Sequence, residues 1–75
     1  MDKARIQQMI EAGLDGALVT VEGDDGVHFS AKVVSSAFAG KPTIARHRMV
    51  YATLGTAMGG DIHALSLTTL TPDES

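Results

Sequence analysis

A chain of 75 residues has room for one small domain on a single core, which excludes a large enclosed active site and leaves function to surfaces. Hydrophobic residues make up 44% and prolines number two, as expected of a globular fold, while the absence of cysteine excludes a disulfide framework and any thiolate metal centre built by this chain alone. The net charge of −3 argues against a general nucleic-acid binder, but it is unevenly spread: Lys32, Lys41, Arg46 and Arg48 stand unopposed in a central segment of +4 against −7 elsewhere.

In chain order, Ile6, Met9, Ile10 and Leu14 fall at helical spacing, with Asp2 as N-cap and Gly13 as a stop. Ala17 to Glu22 carries the β-branched content of a strand, and Gly23-Asp24-Asp25-Gly26 is turn chemistry before a second strand, so the pair predicts a hairpin. Val27, Phe29, Ala31 and Val33 share the core face of that second strand; His28, Ser30 and Lys32 share the wet one. Ser35 to Pro42 is a connector. Thr43 is expected to cap a second helix running to about Met58, whose apolar stripe is Ile44, Val50, Tyr51, Leu54, Ala57 and Met58, with His47 on or beside it. Gly59-Gly60 ends that helix, and Ile62 to Leu70 reads as a third strand.

The order αββαβ predicts an α+β sandwich of two layers, a three-stranded sheet with both helices on one face, in a single domain spanning residues 1–75. No apolar run approaches the roughly 18 residues of a membrane span, so a cytoplasmic chain without membrane contact is expected.

Four pieces carry a family resemblance: His28-Phe29; Phe38-Ala39-Gly40-Lys41; Ala45-Arg46-His47-Arg48-Met49-Val50-Tyr51; and Ile62-His63-Ala64-Leu65-Ser66-Leu67 followed by Leu70-Thr71-Pro72. In order and spacing the chain resembles the BolA family. The resemblance implies a fold similar to class II KH domains and two functional traditions. Family members pair with monothiol glutaredoxins around a two-iron, two-sulfur cluster, and some bacterial members are DNA-binding regulators of morphology and stress responses.

On the first reading, the resemblance makes His63 a cluster ligand, the position being that of the recurrent histidine before Ala-Leu. Strand alternation alone, which puts His63 on the face of Leu65 and Leu67, describes a histidine at the edge of the core. Imidazole is a borderline ligand suited to iron, and the thiolates this chain lacks would come from a glutaredoxin cysteine and glutathione, with no cluster held by the isolated chain. The second ligand falls in the hairpin loop, where relatives carry cysteine or histidine. Asp25 occupies or neighbours that place, and His28 is the nearest alternative donor.

On the second reading, duplex DNA would meet Lys41, Arg46, His47 and Arg48 at the start of the second helix, through weak and salt-sensitive phosphate contacts. The same residues could instead meet glutaredoxin or the glutathione carboxylates. The GxxG spacings at Gly13-Leu14-Asp15-Gly16 and Gly23-Asp24-Asp25-Gly26 contain aspartate and sit at hairpin boundaries, which makes them poor phosphate cradles. No nucleophile stands beside a base in a recognisable arrangement, so the chain is read as a non-enzyme. Oligomeric state is open, a homodimer included.

Overall fold

The computed structural model describes residues 2–23, 25–58 and 64–75. Its elements are α1 (Lys3–Gly13), β1 (Leu18–Glu22), β2 (His28–Val34), α2 (Thr43–Leu54) and β3 (Ala64–Leu70), with 3-10 turns at Ser36–Phe38 and Gly55–Ala57. This is the expected αββαβ order.

Helix α1 starts where the sequence places its cap. The Asp2 carboxylate accepts the Arg5 backbone N–H at 2.8 Å, satisfying one of the amides that the first helical turn leaves without a partner. Ile6 and Ile10, one turn apart, are fully buried, and the helix packs on β1 and on α2. Gly13 makes the approach to α2 close. A Cβ there would lie 2.5 Å from Thr53 Cγ2 and 2.8 Å from Thr53 Cβ. Gly13→Ala is therefore expected to cost about 1 kcal/mol in urea denaturation, a steric penalty partly offset by alanine's better backbone propensity. Thr53→Ser, which removes the nearer atom, should recover part of that loss.

β2 is the central strand, antiparallel to β1 and parallel to β3. The register sets Val19 opposite Val33, Val21 opposite Ala31, Phe29 opposite Leu65 and Ala31 opposite Leu67, so one face of the sheet carries an apolar layer beneath the helices. The other face carries Thr20, Glu22, Ser30, Lys32, Ser66 and Thr68, and is polar apart from the exposed Leu18. Because β2 and β3 are parallel, a crossover must link them, and α2 forms it on the same face as α1. Phe38, fully buried, pins the connector before α2 into the core.

Three expectations for the second helix are corrected. It ends at Leu54, four residues short of Met58, because Gly55 takes a left-handed φ of +54° and the chain tightens into a 3-10 turn. Its N-cap is Pro42, whose conformation is extended and which offers no side-chain acceptor; Thr43 is the first helical residue instead. Ile44 is 63% exposed, not part of the buried stripe, since it lies about 120° around the helix from Val50. Tyr51 sits at the stripe's border. The third strand is described from Ala64 onward, and the expected strand residues Ile62 and His63 lie outside the described residues.

Candidate functional site

The hairpin end of the sheet is built by Asp25. One carboxylate oxygen, Oδ1, accepts the backbone N–H groups of Val27 at 2.9 Å and His28 at 2.8 Å, closing an aspartate turn ahead of β2. Gly26, at φ +75°, supplies the left-handed residue that the turn needs. The other oxygen, Oδ2, meets His28 Nδ1 at 2.7 Å. His28 donates this bond, because an ionised carboxylate can only accept.

These contacts hold the Asp25 carboxyl far below the usual carboxylate range. The largest cause is the bond from the His28 ring, followed by the backbone N–H groups of His28 and Val27. The His28 side chain is 70% exposed. Glu22, Gly23, Phe29 and Ser30 complete an open cleft around the pair. In the register, His28 stands opposite Ala64, the first described residue of β3. His63, which precedes Ala64 in sequence, lies outside the described residues, as does Asp24. The structure thus brings Asp25 and His28 into direct contact with each other. Among the described residues, no group of three or more histidine or acidic side chains is gathered in metal-binding geometry.

The basic segment does not form one patch. Residues 46 and 48 point to opposite sides of α2, being about 200° apart around a helix. The Arg46 side chain, 12% exposed, is turned inward. Its Nε donates to the Lys41 carbonyl at 2.8 Å, its Nη1 to the Thr69 carbonyl at 3.2 Å and to Glu74 Oε1 at 2.7 Å, and its Nη2 to Glu74 Oε2 at 3.3 Å. Its guanidinium carbon stands 5.9 Å from the centre of the Phe38 ring. Lys41 and Arg48 are exposed. His47 is half-buried, its ring edge-on to Tyr51 with centroids 6.5 Å apart, and the Tyr51 hydroxyl donates to the Leu65 carbonyl at 3.4 Å. Arg46 and Tyr51 together occupy two carbonyls of β3 and stitch α2 to that strand.

The sequence reading missed this role of Arg46, although a signal was there. Arg46, Val50 and Leu54 recur every four residues, and the last two are the buried residues of the helix. An arginine on that stripe is placed to pair with something inside, and its carboxylate partner is 28 residues downstream.

A two-layer α+β domain with a mixed three-stranded sheet, an exposed histidine at its hairpin end and a helix laced to its last strand defines the class of protein. Residues 7–74 match the profile of BolA-like proteins, and the chain belongs to the BolA family. A solved BolA homologue from Coxiella burnetii superposes with a TM-score of 0.89 at 49% identity, covering 99% of this chain and 95% of that one. The BolA domain of SufE1 from Arabidopsis thaliana superposes at 0.84 and 36% identity, covering 97% and 94%.

Among curated relatives, human BolA-like protein 1 is 33% identical over 93% of this chain, and SufE-like protein 1 of Arabidopsis thaliana is 36% identical over 93%. This chain spans 58% of the first relative's length and 24% of the second's. A Vibrio cholerae protein named DNA-binding transcriptional regulator BolA is 47% identical over 63% of this chain and 44% of its own length. No helix among the described residues is long and apolar enough to cross a membrane.

Proposed function

We propose that this chain is a non-enzymatic adaptor of iron-sulfur trafficking that pairs with a monothiol glutaredoxin, with His63 as its ligand to a shared two-iron, two-sulfur cluster. The observation that carries the reading is the pairing of His28 with Ala64. It sets the hairpin end, where relatives of this family carry their second donor, beside the residue that follows His63 in sequence. The donor set suits such a cargo: imidazole nitrogen from this chain, thiolates from a glutaredoxin cysteine and glutathione, and none from a chain without cysteine.

The second reading, a regulator that contacts duplex DNA, draws on the Vibrio cholerae relative and on the exposure of Lys41 and Arg48. With Arg46 engaged inside the fold, two exposed cations remain of the three in the segment, too few for strong phosphate binding.

Anaerobic mixing with a cluster-loaded monothiol glutaredoxin, followed by visible circular dichroism and size analysis, tests the adaptor reading. A mixed complex with a new spectrum is expected, and His63→Ala should abolish the new bands. An unchanged spectrum in that variant would remove His63 as ligand. No complex at all from the wild-type chain would move DNA regulation to the front.

A further inference from the structure

We infer that Asp25 is a positioning residue, not a metal ligand: it fixes His28 as the Nδ1–H tautomer, so that Nε2 carries the lone pair that the hairpin offers to a borderline metal ion. The inference rests on the adaptor reading for the metal concerned, iron of the shared cluster. Its structural half stands on this chain alone.

Both Asp25 oxygens are already engaged, Oδ1 by two backbone N–H groups and Oδ2 by the His28 ring. Oδ1 has both acceptor sites filled, and a metal on Oδ2 would crowd the imidazole that already meets it there. Nδ1 of His28 must keep its proton to make the 2.7 Å bond to the carboxylate, and a neutral imidazole protonated there has its free electron pair on Nε2. Metal-binding histidines commonly give their other ring N–H to a carboxylate, which sets ring orientation and raises the basicity of the ligating nitrogen. Asp25 and His28 already form that arrangement, on a side chain 70% exposed at the end of the sheet.

Asp25→Asn separates this role from the turn. Its amide oxygen can still accept the Val27 and His28 backbone N–H groups, while the amide nitrogen would face His28 Nδ1. The ring would then accept at Nδ1 and carry its proton on Nε2, the atom that has to bind metal.

Nitrogen-15 correlation spectra of the isolated full chain, recorded where the imidazole is neutral, test the tautomer. The wild-type ring is expected to show a protonated Nδ1 and an unprotonated Nε2, with the two exchanged in Asp25→Asn. A wild-type ring protonated on Nε2, or a variant unchanged from wild type, would overturn the inference.

The cluster arm uses the mixed complex with glutaredoxin. His28→Ala and Asp25→Asn should both lose the wild-type visible circular dichroism bands. Should Asp25→Asn lose them and His28→Ala keep them, Asp25 itself would be the ligand and the inference would fail. If the wild-type chain forms no cluster-bearing complex, the adaptor reading and the ligand half fail together, while the spectra still decide whether Asp25 sets the ring.

Discussion

Phe38→Ala is expected to cost about 3–5 kcal/mol, the range for emptying the site of a buried aromatic ring. A 75-residue domain typically has about 4–11 kcal/mol of stability in total, so the substitution should remove a large share of it. Phe38 sits in a three-residue 3-10 turn whose neighbours Ala37 and Ala39 are exposed, and it is the largest side chain with no solvent exposure at all. It is the anchor by which the connector between β2 and α2 grips the core. Urea denaturation followed by far-ultraviolet circular dichroism measures the effect. Phe38→Leu, which keeps most of the volume, should lose far less than Phe38→Ala; a loss below about 1 kcal/mol in Phe38→Ala would mean that the ring's packing is not what holds the connector.

Much of this architecture is legible in the sequence because local rules and the global fold agree in its first half. Asp2 is read as a cap and acts as one, and the alternation from Phe29 to Val33 gives the buried face of β2 without ambiguity. The reading fails in α2, where a weakly amphipathic helix left its buried face poorly marked. Hydropathy places Ile44 inward, yet it lies outward, while charge places Arg46 outward, yet it lies inward. Position around the helix, not residue type, decides both cases.

The sequence offers Asp25 and His28 as candidate donors but not the way they are joined. Asp25 and His28 stand three residues apart and read as alternatives, since strand alternation gives no hint that a turn folds the carboxylate back onto the ring. Only the turn's two backbone bonds to Oδ1 show why the remaining oxygen faces His28. What the sequence presents as a choice between two donors is, in three dimensions, one unit.

Arg46→Ala is the other substitution expected to have a large effect, on the order of 2 kcal/mol, from lost packing against Phe38 and lost hydrogen bonds to the Lys41 and Thr69 carbonyls. Arg46→Lys should not restore it, because an ammonium cannot reproduce a planar fork that reaches two carbonyls and both oxygens of Glu74.

Acid adds an independent readout. The Arg46 guanidinium, and after it the Thr71 backbone N–H, lower the Glu74 carboxyl from 4.5 to about 2. A carboxyl depressed in the folded state contributes stability that is fully present above its unfolded value and lost as pH falls toward its folded one. The wild-type chain should therefore lose this contribution between about pH 4.5 and pH 2. In Arg46→Ala that loss should shrink without vanishing, since Thr71 still donates to Glu74. Carbon-13 titration of the Glu74 carboxyl and urea midpoints across that range measure both effects. A Glu74 titration unmoved by Arg46→Ala would dissolve the link between α2 and the C-terminal turn. The same result governs how binding experiments are read: a loss of DNA or partner affinity in Arg46→Ala reports a damaged fold, whereas the same loss in Arg48→Ala, whose side chain is exposed, reports the surface itself.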